Sequence, residues 1–152
     1  MKKLITLFVL SIIVLSGCKQ DQITTLTTTS IQGKWNDNKA NHFNEGGIEY
    51  YYEFTGNEFR LMVYEYSDQK LTNCNLIYDW KNYIKGTFSI QQQSIVLNGT
   101  YCDSTYTALT TSPCLDVQPI GSFTDTLAIT FVNNHTISFM NRIGTTSVLV
   151  KQ

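Results

Sequence analysis

The chain has 152 residues and nearly balanced charge, 11 Lys and Arg against 12 Asp and Glu. Lys2 and Lys3 precede Cys18, so the chain from Cys18 onward keeps nine basic and twelve acidic residues, a formal charge of −3. That sign argues against nucleic acid as a partner, because phosphate binding needs clustered basic side chains, and the length suits one domain rather than two.

The N-terminus divides into three parts. Lys2 and Lys3 are followed by a twelve-residue apolar run from Leu4 to Leu15, then by the small residues Ser16 and Gly17. This is the layout of a secretory signal peptide over residues 1–17. The run is short of the about 20 apolar residues that span a bilayer core of about 30 Å. Leu15-Ser16-Gly17-Cys18 matches the bacterial lipobox. It predicts lipidation of Cys18, palmitate-type acylation, and anchoring to the membrane through two or more acyl chains. Lys19 behind the cysteine leans the expectation to the outer membrane of the cell envelope. Residues 18–30 hold six Thr and Ser and no aromatic residue, which reads as a flexible lipidated tether.

Beyond the tether, residues 31–152 read as one all-β domain. Gly33 to Asp37 is a first short strand. Ile48 to Phe54 alternates, with Ile48, Tyr50, Tyr52 and Phe54 on one face and Glu49 and Glu53 on the other. Thr55-Gly56-Asn57 is a turn, and Glu58 to Tyr66 alternates again, so the two segments make a hairpin. A further strand is expected near Leu71 to Tyr78. The hairpin pattern recurs at Tyr83–Ile90 with Ser94–Thr100, and at Asp125–Val132 with His135–Met140. Thr145 to Lys151 closes the chain. Eight to nine short sequential antiparallel strands predict an up-and-down barrel of about eight strands, with a sandwich as the alternative. The polar stretch from Asn36 to Gly47 reads as loop.

Ile31-Gln32-Gly33-Lys34-Trp35 places a Gly-x-Trp at the head of the domain. With the aromatic hairpins YYYEFTGNEF, GTFSIQQQSIVL and LAITFVNNHTISFMNR behind it, the chain resembles the lipocalin-like (calycin) lipoproteins of the Bacteroidetes. The resemblance spans roughly residues 31–152. It implies an eight-stranded lipocalin-like barrel in which Gly33 and Trp35 close one end, with Arg142 as the late cation that stacks over Trp35. The alternative for Arg142 is a solvated turn residue. The resemblance also implies a ligand site at the end away from Trp35. Such a barrel is either filled by its side chains or holds one small ligand. The inward set is bulky, and Tyr50, Tyr52, Phe54, Leu61, Val63, Phe88, Phe131 and Phe139 are the candidates to line a cavity.

With Cys18 lipidated, Cys74, Cys102 and Cys114 remain in an oxidising compartment. Cys102 and Cys114 bracket eleven residues, and a Cys102–Cys114 disulfide would pin that loop; pairings of Cys74 with either stay open. His42 and His135 have no metal-ligand spacing, so no metal is expected. No nucleophile elbow, zinc-protease helix or phosphate loop is present, so the chain reads as non-enzymatic and without a cofactor. Glu49, Glu53, Glu58 and Glu65 read as a solvated outer face. Tyr51, Tyr64, Tyr66, Tyr78, Tyr83, Tyr101 and Tyr106 read as exposed, with a sugar- or protein-binding face as the functional alternative. The expected function is a membrane-anchored monomer that binds a small apolar or amphipathic ligand. The alternative is a protein-binding envelope module of the inhibitor or immunity type. A large apolar cavity would favour the first, and a filled core with an aromatic patch on a loop the second.

Overall fold

The computed structural model describes residues 26–37, 47–66, 79–111, 119–133 and 135–152, with 66, 79, 131 and 132 described through their backbone only. Cys18, the signal peptide, the strand expected at 71–78, His42, Cys74 and Cys114 lie outside the described residues.

One short helix precedes the strands: α1 (Thr28–Ile31). The strands are β1 (Gly33–Asn36), β2 (Gly47–Thr55), β3 (Glu58–Tyr66), β4 (Asp79–Gln91), β5 (Ser94–Cys102), β6 (Ser122–Asn133), β7 (Thr136–Met140) and β8 (Thr146–Lys151). Each strand pairs antiparallel with the next, and β8 returns to β1, so the sheet closes into the up-and-down barrel. Pairing of the first strand with the last sets the barrel apart from the sandwich alternative. Among the described residues no helix is long and apolar enough to cross a membrane.

Residues directly opposite in an antiparallel pair point to the same face. The β2–β3 register sets Phe54 opposite Phe59, Tyr52 opposite Leu61 and Tyr50 opposite Val63. Their alternation therefore becomes one inner wall. Trp35, Phe54, Phe59, Leu61, Ile84, Ile95, Leu97, Ile137 and Leu149 are each no more than 2% exposed. Tyr50, Tyr52 and Phe54 stack along β2 with ring centroids 6.2 and 5.7 Å apart. Phe139 meets Tyr52 edge-on at 5.2 Å, and Phe88 meets Phe54 edge-on at 5.1 Å.

Gly86 and Gly99 lie opposite each other on β4 and β5. A Cβ on Gly86 would collide with the Asn98 carbonyl oxygen, and one on Gly99 would meet the Phe59 ring at 3.1 Å. The missing side chains admit that ring to the core.

The residues expected to line a cavity therefore fill the barrel instead. Tyr52, Phe54, Leu61, Phe88 and Phe139 belong to the buried cluster, and Tyr50 and Val63 pack against it. The side chain of Phe131 is outside the described part, and its backbone pairs with Ile137. The physical reason is volume: the rings of Tyr52, Phe54, Phe88 and Phe139 pack against one another across the interior. The space beside Tyr50, Tyr52, Phe139 and Asp125 is about 40 Å³. That is room for about one water, whose share of liquid volume is about 30 Å³.

The barrel has two unlike ends. The turns after β2, β4 and β6, the start of β1 and the finish of β8 share one end. The connections after β1, β3, β5 and β7 share the other. At the first end α1 is a plug. Thr27 caps it, accepting from the Ser30 N–H at 3.1 Å, while the Ser30 hydroxyl accepts from the Thr27 N–H at 3.0 Å. The plug carries Ile31, which is fully buried, and Leu26 packs on the core. Leu26 and Ile31 thus belong to the barrel although they lie at 26–31, within or beside the stretch expected to be tether, because two apolar residues in a Thr-rich run find the barrel mouth.

Candidate functional site: the rim cleft

At the closed end, Trp35 is 1% exposed and its indole N–H donates to the Ile31 carbonyl at 2.8 Å. The cation over its ring is Lys151, with Nζ 5.3 Å from the centroid. Arg142 was expected there. It is exposed instead, in the turn after β7 at the opposite end, and donates to Thr126 Oγ1 at 3.4 Å. The reason is register, since Lys151 lies directly opposite Trp35 across the β1–β8 seam. Gly33 adopts φ +113°, a conformation that favours glycine, and a Cβ there would come within 2.9 Å of Lys151 Cε. Gly33 and Trp35 do close this end, and Lys151 completes the closure.

The open end carries the cleft. It has a volume of about 480 Å³. Its aromatic walls are Tyr64, Trp80, Tyr83 and Tyr101. Lys81, Asn82, Asp103 and Ser104 supply polar groups, and Cys102 and Leu109 complete the described lining. The first residues of β4 position most of it. Trp80 lies opposite Glu65, Lys81 opposite Tyr64, Asn82 opposite Val63 and Tyr83 opposite Met62. Successive side chains alternate, so Trp80 and Asn82 come from the inner wall and Lys81 and Tyr83 from the outer. The cleft straddles the rim.

The segment after β5 forms the remaining wall. Asp103 Oδ1 accepts from the Thr105 N–H, the Thr105 hydroxyl and the Thr107 N–H at 2.8, 2.7 and 3.0 Å. These bonds to its charged form hold the Asp103 carboxyl below the usual carboxylate range. The Leu109 N–H donates to the Tyr101 carbonyl, and Ala108 bridges to Cys102, so the loop folds back on β5. Tyr106, at φ +60°, is set edge-on to Tyr83 at 5.6 Å and beneath the Arg60 guanidinium at 5.2 Å. Lys81 lies over the Tyr64 ring at 4.8 Å.

Covering by this loop also settles the state of Cys102. It is a free thiol, 2% exposed, donating to the Thr100 carbonyl at 3.2 Å. The expected Cys102–Cys114 bridge is therefore not formed at Cys102, and Cys114 lies outside the described residues. Among the described residues no group of His, Cys, Asp and Glu could hold a metal ion.

The inner wall below the rim is polar. Asp125 lies opposite Leu97, and Glu65 opposite Trp80. Burial is the first cause that raises the hydroxyls of Tyr50, Tyr52 and Tyr101, and Asp125 pushes in the same direction. Burial likewise raises Glu65, against an opposing effect of the Trp80 indole. Glu65 therefore departs from the expected solvated face, as does Glu49, which is 7% exposed and accepts the Tyr51 hydroxyl at 2.6 Å.

Tyr64 and Tyr83 were among the residues read as exposed tyrosines, and they meet in the cleft. Tyr101 turns to the inner wall, in phase with Leu97 and Ile95, and that phase was available in the sequence. Trp80, Lys81 and Asn82 were missed altogether. The fold and the cleft together define a closed eight-stranded antiparallel barrel with an aromatic cleft at its rim. No protein-family model, curated protein or solved structure matches the chain.

Proposed function

We propose that the chain is a non-enzymatic envelope lipoprotein, anchored through Cys18, that binds a small amphipathic ligand at the barrel rim and not in the lumen. One observation carries this reading. The cleft of about 480 Å³ falls in the size range of small-molecule sites, whereas the space beside Tyr50, Tyr52 and Phe139 on the inner wall is about 40 Å³. The lipocalin-like reading of the Gly33-x-Trp35 head agrees with it, with the site moved from the barrel interior to its mouth.

Native mass spectrometry of the full chain, extracted from its own envelope in detergent, tests the assignment. A retained small-molecule mass whose occupancy Tyr83→Ala lowers is the expected result. The same bare mass for both proteins sinks it. Cys18→Ala is expected to release the chain from membranes, read by fractionation.

A second reading rests on the braced pair Tyr83 and Tyr106 under Arg60, a rigid aromatic patch of the kind enriched at protein interfaces. A co-purifying protein lost on Tyr106→Ala would move the function to an envelope inhibitor or immunity-type module.

A further inference from the structure

We infer that the occupant of the rim cleft is a neutral carbohydrate, one or two sugar rings laid against the faces of Trp80, Tyr83 and Tyr101. This rests on the reading of the cleft as the binding site and names its ligand class.

The lining decides between classes. An acyl chain needs a wall of aliphatic side chains, and Leu109 is the one such residue in the described lining. A phosphorylated or otherwise anionic ligand needs clustered cations. Lys81 is the one cation in that lining, and its ammonium already lies over the Tyr64 ring. A quaternary or ammonium ligand would seek an aromatic cage. Here Lys81 would repel it. What suits the site is an uncharged molecule with an apolar face and a polar perimeter. A sugar ring has both: its C–H face covers an aromatic face, and its hydroxyls meet polar groups at the edges. Tyr83 and Tyr101 present apolar rings with hydroxyl tips, as amphipathic aromatics do at interfaces that are half wet. Ser104 adds a hydroxyl, and Asp103 a carboxylate fixed in place by its three loop bonds. The rings are also held in advance. Tyr83 is fixed against Tyr106 and Tyr101 edge-on against Phe123 at 5.8 Å, so a ligand orders little on binding.

The experiment titrates the full chain in lipid nanodiscs with N-acetylglucosamine, maltose and cellobiose, and separately with octanoate. Ligand-observed saturation-transfer NMR and tryptophan fluorescence are read against empty nanodiscs. At least one saccharide is expected to saturate. Tyr83→Ala is expected to weaken it about three- to tenfold, the scale of one aromatic contact. Ser104→Trp, an exposed loop substitution that fills the cleft without touching the barrel, is expected to abolish binding, with the far-UV spectrum unchanged. Lys34→Ala, an exposed β1 position outside the lining, is expected to leave saccharide affinity within about twofold. Octanoate binding that Ser104→Trp abolishes, with no saccharide response, overturns the carbohydrate assignment and leaves the cleft reading standing. No response to any probe overturns both. Saccharide binding that survives Ser104→Trp unchanged places the sugar elsewhere and overturns the proposal.

Discussion

At the scale of single residues, two contacts make opposite demands on pH and charge. Lys151 lies over Trp35 while Arg142 stands in an exposed turn. A cation–π contact at a partly exposed site contributes about 0.5–1 kcal/mol. Lys151→Met keeps the stem that covers Gly33 and removes the charge, so it is expected to cost about that much in urea unfolding. Arg142→Ala is expected to stay within about 0.5 kcal/mol of the parent. The reverse order would return Arg142 to the closure.

Tyr51 is the second case. Its hydroxyl donates to Glu49, and that bond, with some burial, pushes it up to about 12. Burial also raises Tyr52. The folded state therefore keeps protons that the unfolded chain releases near pH 10. Stability from these groups is complete below about pH 10 and is lost as pH climbs through the folded values. Urea midpoints are expected to hold to about pH 9.5 and then fall, and Tyr51→Phe to fall less steeply. Identical slopes for Tyr51→Phe and the parent would show that the Glu49 bond contributes nothing to the transition.

At the scale of elements, α1 does more than its four residues suggest. It seals the barrel with Ile31 and offers the Ile31 carbonyl to Trp35. Gln32 behind it ties the plug to the β2–β3 turn, donating to the Gly56 carbonyl at 3.0 Å and accepting the Gly56 N–H at 2.7 Å. Ile31→Ala is expected to cost about 2–5 kcal/mol, as a buried large-to-small change does. Gln32→Ala is expected to cost about 1 kcal/mol, because its bonds are exposed. Urea unfolding followed by Trp35 fluorescence reads both, and a cost for Ile31→Ala no larger than for Gln32→Ala would deny the plug.

The elements also show where sequence reading stops. The hairpins of β2–β3, β4–β5 and β6–β7 are local events. Period-two alternation and turn residues such as Gly56-Asn57 announce them within one stretch of chain. The start of β4 is not local. Asp79, Lys81 and Asn82 are poor strand formers, and pairing with the far end of β3 holds them in the sheet. Lys81 and Asn82 line the cleft, so the fold was legible while the site was not. Lys151 was hidden for the same reason, since only a ladder joining the two ends of the domain brings it over Trp35. The plug was hidden in a low-complexity run whose apolar content is two residues.

At the scale of the whole molecule, the closure is uneven. β2 and β3 pair along nine residues each, and β3 and β4 from Glu58 opposite Thr87 to Tyr66 opposite Asp79. The seam between β1 and β8 is Trp35 opposite Lys151 and Asn36 opposite Val150. Gln152 extends it, its N–H donating to the Lys34 carbonyl at 2.9 Å and its side chain to Asn36 Oδ1 at 2.7 Å. Local opening follows the weakest cooperative unit. The β1–β8 ladder is also the one pairing in the barrel that must close over the full length of the domain, the costliest loop to form. The seam should therefore open first, and the barrel should convert briefly into a curved sheet with two free edges. Hydrogen exchange on the full chain is expected to be fastest, among strand amides, in Gly33–Asn36 and Thr146–Lys151, and slowest in the facing parts of β3 and β4. Removing Gln152 should speed exchange in both seam strands and leave β3–β4 unchanged. It should also promote association, because an opened seam presents unpaired N–H and C=O groups to another copy. Uniform protection around the barrel, or faster exchange confined to β8, would mean that closure does not depend on this short ladder and that the plug alone holds the ends together.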